Sequence, residues 1–374
     1  MIFLHLADLH LGKRLREFSL IEDQRYILKQ AVTLAEAEAV SGVFLCGDIY
    51  DSSTPAGEAT GLFDDFLTSL HDAKIPVFII SGNHDSATKL QFGGRIFSQN
   101  NIYVSTNVCQ ATTPINFKGI HVYMLPFIRP LDVNDAFGTA CKSYSEATKE
   151  VIKRMAPKAG DTNILLAHQM VMPTGQDLLA GGSESITNVR DGTIVGDAAS
   201  VSSELFASFD YVALGHVHRP QTIAKNARYS GSILKYHKDE ANIEKLFSLI
   251  RVEGKKITIE TRPEKYLHNV VVLKGTLDEI LHADADQNAY VFASLADTSI
   301  IDDPMGKLRK KYPLAAAVEY QTFGPGISFH ESADIEHRSK EELFTDFFAL
   351  QNGQSLDKNQ QEVIHLLLGE GGKE

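Results

Sequence analysis

The sequence predicts an α/β protein: a layered strand-and-helix core, then a small α+β domain, then a pair of short helices. Three observations predict it. Strand-sized apolar blocks alternate with helical periodicities early in the chain, the pattern of a layered α/β core. From Tyr211 onward only strand and turn signals remain up to about residue 265, so that core closes with antiparallel strands. From Val270 a second, shorter strand–helix–strand cadence begins, and Gly324-Pro325-Gly326 ends it.

The elements follow in order. Ile2–Ala7 reads as the first strand. Ser19-x-x-Glu22 is a capping-box signature, followed by an apolar stripe at Leu20, Ile27, Ala31 and Leu34 that Gly42 closes. Val43–Cys46 is the next strand, Gly57–His71 repeats the helical pattern, and Val77–Ile80 follows as a strand. Ile120–Leu125, Ile164–Ala167 and Tyr211–Leu214 continue the series. Thr222–Ala224, Arg228–Ser230, Lys245–Arg251 and Lys256–Thr261 supply the closing strands. The second unit reads Val270–Lys274, Leu277–His282, Tyr290–Leu295, Met305–Tyr312 and Ala315–Tyr320, alternating strand and helix. Phe329–Lys340 is polar and reads as a linker. Ser339-x-x-Glu342 opens a helix carrying Leu343, Phe344, Phe347, Phe348 and Leu350, Asn352-Gly353 stops it, and Lys358–Leu368 forms a second. The expected domains are therefore 1–265 (layered core), 266–328 (small α+β domain capping it), 329–340 (linker) and 341–370 (helix–loop–helix).

Composition narrows the classes. With 374 residues, 43% apolar and 22% charged, long disorder, collagen and coiled-coil rods are excluded. No apolar run approaches the ~18 residues of a membrane span. The N-terminus carries His5, Asp8 and His10 and lacks a basic n-region. Cys46, Cys109 and Cys141 are odd in number and far apart, which fits buried thiols in a reducing compartment. A soluble, cytoplasmic protein is expected. The net charge of −12 argues at face value against a nucleic-acid partner. Its location matters more than its size. Residues 1–270 hold 27 basic and 30 acidic side chains, whereas residues 271–374 hold 9 and 18.

Five short motifs stand just past strand ends: Asp8-Leu9-His10, Gly47-Asp48-Ile49-Tyr50-Asp51, Gly82-Asn83-His84-Asp85, His168, and Gly215-His216-Val217-His218. Ligands gather at the carboxyl ends of strands in open α/β sheets. Residues two apart on extended chain point the same way, so Asp8 with His10, and His216 with His218, can each face one cavity. Carboxylate, imidazole and amide oxygen without thiolate favour Mn²⁺, Fe or Zn²⁺ at a catalytic site. Seven candidates (Asp8, His10, Asp48, Asn83, His168, His216, His218) exceed one tetrahedral ion and suit two ions sharing a carboxylate.

In this order the motifs resemble the calcineurin-like metallophosphoesterase superfamily. HLADLHLGKRL with EDQRYIL, DYVALGHVHRPQ, YSGSILKY with Glu240 beyond it, and FTDFFALQNGQSLDKNQQEVIHLLL resemble more narrowly the nuclease subunits that work beside an SMC-like coiled-coil ATPase. The resemblance implies a metallophosphoesterase sandwich core. It also implies one ion on Asp8, His10, Asp48 and His218, and another on Asp48, Asn83, His168 and His216, with Asp48 bridging. His84 would be the catalytic imidazole, oriented by Asp51. Two divalent ions, Mn²⁺ by this resemblance, clamp a phosphate and activate water for in-line attack, while an imidazole serves the leaving oxygen. The implied activities are double-strand exonuclease and hairpin endonuclease in DNA end processing, repair and recombination. The implied assembly is a homodimer within a heterotetramer, paired through Gly57–His71 and the segment near Arg95–Gln99, with Leu62, Phe66 and Phe97 each open between that surface and the core.

Several residues carry plainer readings. His5 and His121 are expected to pack, and Asp85 to hold its own loop. Arg219, and the hydroxyls of Tyr229-Ser230-Gly231-Ser232, are open between substrate contact and structure. Lys307, Arg309, Lys310 and Lys311 are open between DNA backbone and a solvated face. Residues 341–374 hold 2 basic and 7 acidic side chains, which argues against a DNA-binding helix-turn-helix and for docking a protein, with folding back on its own domain as the alternative. The resemblance implies that the docked protein is the coiled-coil ATPase. Two rival functions remain: a phosphoesterase acting on a small phosphodiester or phosphoprotein, and a scaffold with a vestigial metal site.

Overall fold

The computed structural model describes residues 1–175, 178–179, 189–190, 193–194, 200–321, 339–352 and 354–368. The expected linker at 329–340 therefore lies outside the described residues except for its last two. Residues 1–272, with 286–292 and 312–316, form one compact unit, and the remaining stretches form a second.

The first unit is a two-sheet sandwich. Its strands are β1 (Ile2–Leu6), β2 (Gly42–Cys46), β3 (Val77–Ile80), β4 (Ile102–Ser105), β5 (Ile115–Phe117), β6 (Ile120–Leu125), β7 (Thr162–His168), β8 (Tyr211–Gly215), β9 (Gln221–Ala224), β10 (Ala227–Tyr229), β11 (Leu246–Glu253) and β12 (Lys256–Pro263). One sheet runs β12-β11-β1-β2-β3-β4 and the other β9-β10-β8-β7-β6-β5. The first sheet is parallel from β1 to its β4 edge and antiparallel at its β11–β12 margin. The second has a parallel centre with antiparallel strands at both margins. The parallel strands read as unbroken apolar runs because both faces are covered.

An aromatic seam joins the sheets. Phe3 stacks on Phe44 at 4.6 Å, and Phe117 of the second sheet meets Phe78 edge-on at 5.4 Å. Ile120, Val122, Ile164, Leu166, Tyr211 and Ala213 fill the rest of this layer from the second sheet. Helices α1 (Ile21–Ala37) and α2 (Gly57–Asp72) pack together, and α3 (Gly94–Gln99) packs beside β4. Helices α4 (Pro130–Phe137) and α5 (Tyr144–Met155) pack the outer face of the second sheet through Val133, Ala147, Val151 and Met155.

Local signals set most boundaries, with corrections. Ser19 does not cap α1: Leu20 is its N-cap, without a side-chain cap, and Ser19 belongs to a short strand pair with Arg14–Leu15. Leu62 and Phe66 are buried within the chain, so they are not free for a dimer face; Phe92 and Ile96 are the exposed apolar side chains near α3. Cys46 is buried as expected, but Cys109 is exposed and Cys141 half-buried; all three are free thiols.

Strands β13 (Val270–Gly275), β14 (Tyr290–Leu295) and β15 (Ala315–Tyr320) form a separate three-stranded sheet. Helix α6 (Leu277–His282) starts with a capping box between Thr276 and Glu279. Helix α7 (Pro304–Lys311) exposes Lys307, Arg309 and Lys310, but Lys311 donates to the carbonyls of Leu281 and Ala283 and so closes the end of α6 instead. Helices α8 (Lys340–Asn352) and α9 (Lys358–Leu368) form the C-terminal pair, and Ser339 with Glu342 makes the expected capping box. No helix among the described residues is long and apolar enough to cross a membrane.

Candidate metal centre

All five motifs meet at one end of the sandwich, past the carboxyl ends of β1, β2, β3, β7 and β8. Two sheets contribute, so the site straddles the core instead of lying on one edge. The loop after β1 runs beside the loop after β2, with Asp8 N donating to Gly47 O (3.1 Å) and His10 N to Asp48 O (2.9 Å).

The backbone here is not extended, which corrects the expectation for Asp8-x-His10. Asp8, His10 and Asp48 have φ of 52°, 43° and 49°, and His216 has 103°. Such conformations cost on the order of 1–3 kcal/mol each and persist where the surroundings impose them. Turning through left-handed residues brings both side chains of a pair inward while Leu9 and Val217 stay buried. Gly82 is required by close approach: a Cβ there would lie 2.1 Å from Asp48 Oδ1.

The donor atoms form two groups that share one carboxylate. His10 Nε2 lies 3.1 Å from His218 Nε2 and 3.7 Å from Asp48 Oδ2. Asn83 Oδ1 lies 3.1 Å from His168 Nε2 and 3.0 Å from His216 Nδ1, and His168 Nε2 lies 3.4 Å from Asp48 Oδ2. Ligand bonds of roughly 2.1 Å put neighbouring ligands roughly 3.0–3.4 Å apart, so this spacing fits metal ligation. Asp8 groups with His10 and His218, and also with Asp48 and His168. His10, Asp48 and His84 are a third cluster within ligating distance.

Backbone amides fix the carboxylates. Asp8 accepts from His216 N (2.9 Å), and Asp48 Oδ1 from His84 N (2.9 Å). His168 Nδ1 donates to Cys46 O at 2.7 Å, which leaves Nε2 for the donor cluster. Burial drives His10 down to about 4 and His216 to about 3, the neutral form that ligates cations. Burial also drives Asp8 up to about 6, against His168 and His218. For His168 burial works the other way, but Asp48 and Asp8 outweigh it and raise the ring to about 9. For Asp48, too, burial is overcome by His168 and His10, so it stays ionised. Buried carboxylates facing imidazoles are a donor set that a divalent cation completes.

His84 and Asp51 adjoin this set. His84 stands edge-on to His10 at 4.9 Å, and its Nδ1 donates to the backbone carbonyl of Asp51 at 2.9 Å. The contact between His84 and Asp51 is thus made by the Asp51 backbone. Its carboxylate instead receives Lys13 at 2.6 Å and stands 3.5 Å from His10 Nδ1. Burial raises that carboxyl less than hydrogen bonds from His10 and Lys13 lower it, to about 2.

Other readings resolve here. Asp85 accepts from Ile49, Tyr50 and Gly82 N, pinning two loops together. His5 is buried between Tyr211 OH and Leu214 O, and His121 faces Asp161 at 3.6 Å. The hydroxyls of Tyr229, Ser230 and Ser232 are all buried and engaged internally. Sequence reasoning missed Gln24, whose side chain donates to His10 O at 2.7 Å and accepts from Gly12 N at 3.0 Å. The EDQRYIL segment was its signal: α1 carries the amide that ties down the first ligand loop.

Residues 1–220 match the family model described as calcineurin-like phosphoesterase. The chain belongs to that family. Residues 267–352 of this phosphoesterase match a second model, described as type 5 capsule protein repressor C-terminal domain. It is 32% identical to the SbcD component of the SbcCD nuclease of Staphylococcus epidermidis over 98% of both chains. It is 30% identical to the protein of that name from Staphylococcus saprophyticus over 100% of both. As a calcineurin-like phosphoesterase it is a metal-dependent hydrolase of phosphate esters.

Proposed function

We propose that this phosphoesterase is a two-metal DNA nuclease, the catalytic subunit of an assembly with an SbcC-type SMC-like ATPase. In this reading it acts on duplex ends as an exonuclease and on hairpins as an endonuclease. The observation that carries the reading is the shared carboxylate: Asp48 Oδ2 stands 3.4 Å from His168 Nε2 and 3.7 Å from His10 Nε2, between two donor groups. Asp8, His10, Asp48 and His218 would hold one divalent ion, and Asp48, Asn83, His168 and His216 the other. When bound, such ions, Mn²⁺ here, supply Lewis acidity and a nucleophilic water at neutral pH.

The chain's own groups do the remaining work. Backbone amides and Gln24 keep the donors in place, so little reorganisation accompanies binding of a phosphodiester. His84 holds its Nδ1 hydrogen on Asp51 O, so Nε2 is the atom that meets the departing 3′ oxygen and, from the imidazolium, gives it a proton. Asn83 is exposed and His84 and His216 are half-buried, which leaves an open side for a polymer strand.

The C-terminal helices support the partner. Phe344, Phe348, Leu356, Val363 and Ile364 line a groove of ≈ 300 Å³, and Phe347, Leu366 and Leu367 are exposed. An apolar groove on an acidic helix pair suits a protein helix, and the full-length likeness to components of SbcCD favours the ATPase coiled coil. A homodimer inside that assembly is part of the same proposal.

The test is cleavage of linear and hairpin DNA by purified protein with Mn²⁺, alongside bis-p-nitrophenyl phosphate. DNA degradation is expected, and His84→Ala is expected to keep its ions and lose roughly 10²–10⁴-fold in rate. Turnover of the small diester with inert DNA, even after the ATPase is added, would sink the nuclease reading.

A further inference from the structure

We infer that Glu240 and Lys245 act as a buried positioning pair for His218, one that tunes the affinity of a single ion of the two. The inference rests on the proposed function, in which His218 is a ligand.

His218 presents its two ring nitrogens to different surroundings. Nε2 lies 3.1 Å from His10 Nε2, inside the donor cluster. Nδ1 points away, 3.5 Å from Glu240 Oε1. The other carboxylate oxygen, Glu240 Oε2, receives Lys245 Nζ at 2.6 Å. The same ammonium donates to His218 O at 2.8 Å and Ser232 Oγ at 2.7 Å. One lysine thus grips His218 twice, directly at its carbonyl and through Glu240 at its ring.

The surrounding chain is shaped to this contact. Gly231 has φ 79°, and a Cβ there would meet His218 O at 2.7 Å. That explains the glycine in Tyr229-Ser230-Gly231-Ser232: the turn closes on the carbonyl that Lys245 holds. Both Glu240 and Lys245 side chains are 0% exposed. Buried ion pairs seldom improve on well-packed apolar residues for stability, so stability gives no reason for this one. A carboxylate at Nδ1 does serve a ligand: it keeps the hydrogen on Nδ1, leaves the lone pair on Nε2, and fixes the ring plane. Lys245 balances the carboxylate, so no net charge is added beneath the site.

The experiment is Mn²⁺ titration of the full chain, reading free Mn²⁺ by electron paramagnetic resonance. It compares wild type, His218→Ala, Glu240→Gln and the double variant Glu240→Gln/Lys245→Met. The double variant removes both charges together and leaves no orphaned ammonium, so it keeps the fold when Glu240→Gln alone does not. Wild type should hold two ions, and His218→Ala should lose one. The double variant should bind that same ion about 10- to 100-fold more weakly and the other within twofold of wild type. Wild-type affinity for both ions in the double variant would overturn the inference, as would equal weakening of both ions with a lowered melting point before metal is added. If His218→Ala leaves both ions in place, or wild type holds none, the two-metal reading itself fails.

Discussion

Gly82→Ala isolates the site from the fold. An added Cβ at this position would stand 2.1 Å from Asp48 Oδ1 and 2.3 Å from Asp48 N. Contacts that close do not occur, and roughly 1 Å of displacement is needed to relieve them. Gly82 is not in a left-handed conformation, so the alanine backbone itself carries no such strain. The displaced group is the carboxylate shared by both donor clusters, and it is buried and held by His84 N at 2.9 Å. A 1 Å error in a catalytic constellation costs about 10²-fold in rate, so kcat should fall by about that factor, with Mn²⁺ affinity reduced as well. Gly61→Ala is the matched control, because nothing lies within 4 Å of its Cβ on exposed α2. It should stabilise the protein by about 0.5–1 kcal/mol and leave cleavage unchanged. The assay is steady-state cleavage of a labelled duplex, with thermal melts of both variants. If Gly82→Ala cleaves and binds Mn²⁺ within twofold of wild type, the shared-carboxylate geometry is wrong.

Further outcomes are expected. His5 is held neutral down to about 3, by burial first and then by Arg228. Because the unfolded chain takes up that proton near 6.5, the stability it contributes is full above pH 6.5 and declines as pH falls toward 3. Between pH 7.5 and 5.5 this amounts to about 1.4 kcal/mol, measurable as the difference between wild type and His5→Gln in urea unfolding; equal slopes would contradict it. Lys13→Met should free the Asp51 carboxylate now held at 2.6 Å and slow cleavage without unfolding the chain. An unchanged kcat would show that the Asp51 carboxylate takes no part in cleavage. Phe348→Asp, on the groove of the C-terminal helices, should abolish ATPase co-purification while cleavage of bis-p-nitrophenyl phosphate stays within twofold.

Strands and motifs were legible because their signals are local. Val77–Ile80, Leu277–His282, Tyr290–Leu295 and Ala315–Tyr320 match the sequence reading residue for residue. Val270–Gly275 differs from it by one residue at one end, and Pro304–Lys311 by one residue at each end. Helices α4 and α5 went unread although Ser143 and Glu146 mark the start of α5; its buried stripe is only Ala147, Thr148, Val151 and Met155, too weak against a charged background. The metal motifs were found, but how they face one another was not. Asp8 and His10 converge by left-handed turns, which a single sequence does not announce for non-glycine residues. The supports were hidden for another reason. Gln24, Glu240 and Lys245 reach His10 and His218 across 14 to 27 residues of chain, and distance in sequence carries no mark of contact in space.

The central claim is that two cations sit on either side of Asp48. Anomalous diffraction at the manganese edge, from crystals grown with Mn²⁺, measures this directly. The account predicts two peaks, both within roughly 2.3 Å of the Asp48 carboxylate, one beside His10 and His218 and the other beside His168 and His216. A single peak, or two that do not share Asp48, would contradict it.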